Sequence, residues 1–98
     1  MADCAEEEAG QAAALQKEFG RRVRRRRMAL GYQQPKLAAE AHIHQAHISR
    51  MERGLYRAMN LWTLAKLARA LHTSVDYLLT LTDDAGDVPF EEGLLNAV

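Results

Sequence analysis

The fold is decided by residues 34–54, which read QPKLAAEAHIHQAHISRMERG. Pro35 suits the first turn of a helix, because the N–H that it lacks has no partner there. A short helix is therefore predicted over about Gln34–Ala41. A second helix is predicted over about Gln45–Arg53, and it ends at Gly54, where a helix C-terminus favours glycine. The stretch thus predicts two short helices joined by a tight turn.

The second of these helices has two different faces. At 100° per residue, Ile48 and Met51 lie at the centre of its buried face, and Glu52 lies close to it. The opposite face, which His47 flanks, carries Gln45, Ala46, Ser49, Arg50 and Arg53. In a major groove, glutamine can pair with adenine, arginine with guanine, and an alanine methyl with the thymine methyl. The alternative is an ordinary solvated face, but such faces usually mix acids with bases.

A long helix is predicted before this stretch, over about residues 12–30. Its apolar side is marked by Leu15, Phe19, Val23 and Leu30, which recur at spacings of four, four and seven residues and so share one helical face. Arg27 falls on the same inward stripe, where an unpaired guanidinium would be strongly unfavourable. Because Glu52 lies near the inward side of its own helix, we expect Arg27 and Glu52 to pair and to orient that helix.

Two further helices complete an all-α, five-helix domain over residues 12–80. One is predicted over about Leu61–Leu71 with Asn60 as its N-cap, and the other is a last short turn from Val75 with Ser74 as its N-cap. No stretch shows the sustained alternation of apolar and polar residues that predicts a β-strand.

Charge is strongly segregated, although the formal net charge is zero. Between Gly20 and His72 there are twelve Lys and Arg residues against two acids, Glu40 and Glu52. Most of the acids lie in the two ends of the chain. A basic middle with acidic ends is typical of a nucleic-acid-binding protein, although a solvated basic helix without a partner has a similar composition.

The two ends are predicted to be flexible acidic tails. Residues 1–11 are acidic and small, which predicts a disordered tail. Residues 81–98 are acidic and then apolar, so they either fold onto their own domain, stay loose, or contact a second copy or a partner protein. No run is long enough to span a membrane and no signal peptide is visible. With the single cysteine, Cys4, this predicts a reducing, cytoplasmic setting.

Three motifs occur in the order found in a known family. They are GYQQPKLA at residues 31–38, ISRMERG at residues 48–54 and LARALHTSVDYLL at residues 67–79. Through them, the stretch Arg22–Leu79 resembles the lambda-type repressor and Cro family of helix-turn-helix domains, also called the XRE family. The resemblance implies a sequence-specific, nucleoid-associated transcription regulator. It further implies a repressor that binds a palindromic operator on double-stranded DNA as a homodimer, with half-sites about 34 Å apart.

The resemblance also implies roles for single residues. Those implied to read base edges are Gln45, Ala46, Ser49 and Arg50. Those implied to lie near the sugar-phosphate backbone are Arg22, Gln34, His44 and Arg53. Gln34 would also brace the reading helix, and His47 is included in the predicted interface. Arg27 and Glu52 match the family's buried ion pair, in agreement with the helix faces.

Three positions depart from the family pattern. The turn between the two short helices has His42 where the family usually has glycine, so His42 is expected to adopt an unfavourable, left-handed backbone conformation. The N-caps of the two helices are Gln33 and His44 in place of Ser or Thr, and both should cap weakly.

Three of the histidines lie close together in the sequence, in a pattern that metal sites also use. His42, His44 and His47 form the pattern H-x-H-x-x-H, but no cysteine or nearby acid completes a zinc site, so neither a metal nor a cofactor is expected. Proton sensing beside DNA phosphates is a second hypothesis for them. The chain has no Gly-rich phosphate loop, nucleophile elbow or paired-carboxylate site, so an enzyme is not predicted.

The competing function is an antitoxin-type or other protein-interaction module. Its apolar tail, Val88–Val98, would bind a partner protein and become ordered only then. For a homodimer, the candidate contacts are Trp62, Tyr77 and the tail. Trp62 can equally be a partly buried residue at the edge of its own helix.

Overall fold

The structure of the protein is a computed structural model, which describes residues 4–56 and 59–86, with side chains from residue 7 onward. In chain order its helices are α1 Cys4–Ala29, α2 Gln34–Ala41, α3 Gln45–Glu52, α4 Leu61–Ala70 and α5 Val75–Leu78. These residues contain no β-strand. The predicted all-α, five-helix class is confirmed. The apolar part of the predicted tail, Val88–Val98, lies outside the described residues.

One apolar core joins the five helices. Its fully buried members are Val23, Leu37, Ile48, Met51, Leu67, Leu71 and Leu78. Helix α1 contacts α3 and α5, while α2 contacts α3 and α4. Burial of each large apolar side chain stabilises the fold by about 1.5–3 kcal/mol. Ile48 and Met51 thus hold the inner face of α3 and leave its outer face to solvent.

Helices α1 and α3 cross with almost no space between their backbones. At the crossing lies Gly20, where a Cβ atom would collide with the backbone carbonyl oxygen of Met51. Glycine inside a helix is less favourable than alanine by about 1 kcal/mol. The close contact with the last turn of α3 explains why a glycine stands here.

Helix α1 begins at Cys4, well before the predicted start near Ala12, so residues 4–11 are helical where the sequence predicted a disordered tail. Alanine and glutamate both favour helix, and the acids near its start interact favourably with the helix dipole. The apolar stripe of α1 is also shorter than predicted. Phe19 is buried, whereas Leu15 is 41% exposed and lies at the edge of the core.

The helix N-termini differ in how they are capped. The side chain of Asn60 accepts a hydrogen bond from the N–H of Thr63 at 2.7 Å, and that of Ser74 accepts one from a backbone N–H three residues on at 3.0 Å. Gln33 and His44 make no side-chain capping hydrogen bond. Both the predicted strong caps and the predicted weak caps are confirmed.

The chain after α5 turns back onto the domain. The Thr73 hydroxyl donates to the carbonyl oxygen of Ala85 at 2.6 Å, and Ala85 packs against the core. Asp83 accepts a hydrogen bond from Arg22 at 2.8 Å. The folded domain therefore extends at least to Ala85, beyond the boundary predicted after residue 80.

Candidate nucleic-acid interface

The outer face of α3 is a polar, positively charged surface. Its exposed members are His44, Gln45, Ala46, His47, Arg50 and Arg53, and Ser49 is half-buried among them. These seven residues are called the α3 face below. Ile48 and Met51 are fully buried on the opposite side. The helix is therefore turned as its apolar spacing predicted.

The α3 face carries its positive charge without an acid. Within the described part of the chain, Arg50 has no ion pair, and the Arg53 Nε donates only to the carbonyl oxygen of Ser49 at 3.3 Å. The acid of α3, Glu52, points inward, with its side chain 4% exposed. Two cations that no carboxylate neutralises make this face attractive to a polyanion.

A buried ion pair holds α3 in place from below. The Arg27 Nε and Nη2 atoms donate to the two carboxylate oxygens of Glu52 at 2.7 and 2.9 Å. Arg27 Nη1 donates to the carbonyl oxygen of Tyr32 at 2.7 Å, and Gln34 Nε2 donates to Glu52 at 3.3 Å. The pair that the helix faces predicted is present, and it joins α1, α3 and the start of α2.

The geometry of this pair is specific. The two guanidinium–carboxylate bonds form a bidentate arrangement, which is stronger and more directional than a single contact. Hydrogen bonding to Glu52 raises the pKa of Arg27, against the opposing effect of burial. The last turn of α3 is therefore fixed relative to α1 by one charge-paired contact.

The turn between α2 and α3 has the backbone conformation expected for a glycine. His42 lies in the left-handed region, with φ 54° and ψ 46°, as predicted. Its N–H donates to the carbonyl oxygen of Ala39, and the N–H of Ile43 donates to that of Ala38. From α4, the Lys66 Nζ donates to the carbonyl oxygen of His42 at 3.1 Å. The strained turn is thus tied to α4.

Arg22 does not belong to the interface, contrary to the prediction that it meets phosphate. Its side chain is 10% exposed, and its Nη1 donates to the carbonyl oxygens of Tyr77 and Thr82 at 2.8 and 2.6 Å. The other donors contact Glu18 at 3.0 Å and Asp83 at 2.8 Å. Arg22 is a structural residue because its guanidinium ties α1 to α5 and to the segment that follows.

Tyr77 is likewise not available for a dimer contact. It is 5% exposed, and the Arg22 guanidinium lies 4.6 Å from the centroid of its ring. The prediction that Tyr77 contributes to a dimer is therefore wrong. The other candidate, Trp62, is 49% exposed.

Three further arginines of α1 lie on different sides of the helix and have different surroundings. Arg26 donates to the carbonyl oxygens of Leu71 and His72 at 2.7 and 3.0 Å, where α4 ends. Arg25 is exposed on the side away from the core. Arg24 is exposed beside Tyr32 and Gln33, at the N-terminus of α2. Arg24 is therefore an exposed arginine of α1 that lies beside the residues preceding α2.

The three histidines of the turn and of α3 do not converge. In the part of the chain that the structure describes, no group of three or more His, Cys, Asp or Glu side chains is placed to hold a metal ion. The rings of His44 and His47 contact edge to face, with centroids 5.8 Å apart, and the ring of His47 lies 5.5 Å from that of Tyr56. His42 lines one hollow with Glu40 and Lys66 and another with His44.

Three residues that position the site were not singled out from the sequence: Gly20, Arg26 and Lys66. For Gly20 a signal existed, because a glycine inside a predicted helix usually has a packing reason. For Arg26 and Lys66 no local pattern exists, since their partners are backbone carbonyl groups far along the chain.

A family model described as helix-turn-helix matches residues 23–78, more than half of the chain. The chain belongs to the XRE and lambda Cro type of helix-turn-helix family, as the motifs predicted. It carries a DNA-binding domain of the kind found in transcription regulators. No curated protein and no solved structure matches the chain significantly. Among the described helices, none has the length and apolar character needed to cross a membrane.

Proposed function

We propose that this protein is a repressor that binds a palindromic operator as a homodimer, with the α3 face of each copy in the major groove. The observation that carries the proposal is the α3 face itself. It is exposed, basic and free of acids, and Arg27 and Glu52 hold the helix rigidly from the core side. A groove-reading helix needs both properties, because its side chains must reach base edges in one register.

The residues of the α3 face divide into two roles. Those proposed to read base edges are Gln45, Ala46, Ser49 and Arg50. Those proposed to contact the sugar-phosphate backbone, on or beside this face, are Gln34, His44, His47 and Arg53. Arg24 joins the second group in place of Arg22, because it is exposed beside the N-terminus of α2. Phosphate contacts set position and affinity, while base contacts set sequence preference.

The homodimer follows from the small size of the reading surface. One such helix reads only a few base pairs, and two copies bind half-sites one turn of DNA apart, about 34 Å. The candidate contact between copies is Trp62, beside Leu61, which is 85% exposed. Repression then results from occupation of the operator.

The test is binding to duplex DNA across a range of salt concentrations, followed by selection and sequencing of the bound DNA. A steep negative salt slope with an enriched palindrome supports the proposal. Binding without an enriched motif contradicts it and favours the alternative of an antitoxin-type, partner-binding module. Light scattering of the complex with the selected DNA reports whether two copies bind.

Arg50→Ala tests the role of the α3 face directly. It should weaken binding to the selected DNA by about 1–3 kcal/mol and relax preference at one base pair. Arg24→Ala should instead weaken binding to all DNA alike and reduce the salt slope by about one unit. Arg25→Ala is the matched control, since Arg25 is an exposed arginine on the outer side of α1. If Arg25→Ala weakens binding to the selected DNA as much as Arg50→Ala does, the α3 face is not the surface that reads the bases.

A further inference from the structure

The structure separates the histidines of the H-x-H-x-x-H pattern into two environments. His44 and His47 are exposed on the α3 face, and their rings contact each other. His42 lines two hollows, one together with Glu40 and Lys66 and the other together with His44. His44 and His47 belong to the α3 face, which is the surface that meets DNA under the proposed function, and His42 does not.

The surroundings of His44 and His47 contain no acid in the described structure. From α2 and the turn, His44 is faced by Ala38, Ala39 and Ile43, together with His42. The ring that packs against His47 from beyond α3 is that of Tyr56. On the α3 face itself, the charged neighbours are the cations Arg50 and Arg53.

The nearest acids are held elsewhere. Glu52 is buried in its pair with Arg27, and Glu40 pairs with Lys36 at 2.7 Å on the exposed side of α2. A proton on His44 or His47 thus finds no carboxylate partner among the described residues of the free protein.

We propose that His44 and His47 take up protons when the protein binds DNA, so that acidification tightens operator binding. This inference rests on the proposed function, because the partner of the two imidazolium groups is the DNA phosphate backbone. In the free protein, the charged neighbours of the two histidines on the α3 face are the cations Arg50 and Arg53. In the complex, nearby phosphates favour the charged form.

The direction of the pH dependence follows from this difference. An imidazole titrates near pH 6.5 in the absence of neighbours. DNA stabilises the protonated form, so each histidine adds affinity at low pH, and that contribution is lost as the pH rises through the value at which the bound imidazole titrates. Affinity should therefore fall from pH 6 to pH 8, by at most about tenfold for each histidine whose titration DNA shifts by one pH unit.

The experiment measures the dissociation constant for the selected duplex at pH 6, 7 and 8 and constant ionic strength. The unmodified protein is compared with the double variant His44→Gln/His47→Gln. Calorimetry in buffers of different ionisation enthalpy counts the protons taken up on binding. The expected results are net proton uptake by the unmodified protein, and loss of both the uptake and the pH slope in the double variant.

Two matched controls remove the other histidines. His42→Asn and His72→Asn are suitable because both positions are left-handed, with φ 54° and 53°, and asparagine tolerates this region. Both variants should keep the pH slope. Circular dichroism at each pH checks that all variants are folded.

The outcomes separate this inference from the proposed function. Sequence-specific binding with a flat pH profile overturns the inference and leaves the operator-binding proposal in place. A slope that persists in the double variant, or that disappears in His42→Asn, also overturns it. If no DNA is bound specifically at any pH, the proposed function fails, and the inference fails with it.

Discussion

The two halves of the domain are stabilised in different ways. The reading segment, α2 to α3 (residues 34–52), begins each helix without a side-chain cap and turns at His42 in a left-handed conformation. The supporting segment, α4 to α5 (residues 61–78), begins each helix with a capping hydrogen bond, from Asn60 and from Ser74. Local stabilisation is thus present in the supporting segment and weak in the reading segment.

Long-range contacts replace the missing local ones. Glu52 receives the bidentate hydrogen bonds of Arg27, Lys66 holds the turn, and Gly20 lets α1 approach α3 closely. The side chain of His44, at the N-terminus of α3, makes no capping hydrogen bond. A helix N-terminus that faces DNA can use such a side chain for phosphate, at the expense of local stability.

The largest expected effect comes from breaking the buried contact of the reading segment. Glu52→Ala leaves the Arg27 guanidinium buried without its partner, and should reduce the free energy of unfolding by about 3–5 kcal/mol. Denaturant unfolding measures the change. The matched control is Glu40→Ala, which breaks an exposed pair with Lys36 and should change stability by less than about 1 kcal/mol. Equal effects of the two variants would mean that α3 is not held by this contact.

The close crossing of α1 and α3 gives the next effect. Gly20→Ala places a Cβ against the backbone of α3, and should destabilise the protein by about 1–3 kcal/mol because the helices must move apart. Gly10→Ala is the control, since nothing lies within 4 Å of a Cβ at Gly10. In an exposed helix interior, alanine should instead stabilise by about 0.5–1 kcal/mol. Thermal unfolding of both variants checks the opposite signs, and no gain at Gly10 would contradict a helix there.

The N-caps test the comparison between the two segments more finely. Asn60→Ala and Ser74→Ala should each cost about 1 kcal/mol, because each removes a capping hydrogen bond. His44→Ser should have the opposite sign and stabilise the reading segment by up to about 1 kcal/mol. Hydrogen exchange of the α3 amides measures the local change. If His44→Ser gave no added protection, a capping defect would not be the reason for weak local stability.

The smallest expected effect is the contribution of Glu18 to the stability of the fold, which should be lost at acidic pH. Hydrogen bonds from Arg21 and then Arg22 lower the pKa of Glu18 from 4.5 to about 2. A carboxylate with a lowered pKa in the folded state stabilises the fold above its unfolded pKa, and this contribution is lost as the pH falls through the folded pKa. The effect should be modest, since Glu18 is partly exposed. Urea midpoints between pH 5 and pH 2 should decrease more for the unmodified protein than for Glu18→Gln, and parallel curves would exclude this role.

Most of the helices and the orientation of α3 were predictable, because their signals are local. The apolar spacing around Ile48 and Met51 sets which side of α3 is buried, and Gly54 and Asn60 mark helix ends. The pairing of Arg27 with Glu52 followed from two inward-facing charges of opposite sign. The left-handed backbone at His42 followed from the resemblance, because the family usually has glycine at this position.

Two of the predictions that were wrong concern residues whose neighbours are distant in the chain. Arg22 and Arg24 look alike in a run of arginines, yet Arg22 is buried against α5 and Arg24 lies beside α2. Tyr77 was a candidate for a dimer contact, but the Arg22 guanidinium covers its ring. The start of α1 was misplaced because alanine and glutamate favour a helix without any apolar period.

Helix positions, helix faces and weak caps depend on interactions within a few residues, so the order of amino acids is enough to specify them. The roles of the individual arginines, the close contact at Gly20 and the tie from Lys66 to the turn depend on where α1, α4 and α5 lie relative to α3. The helices take up that arrangement because they bury one shared apolar core. The spacing of residues within each helix does not specify how the helices are placed relative to one another.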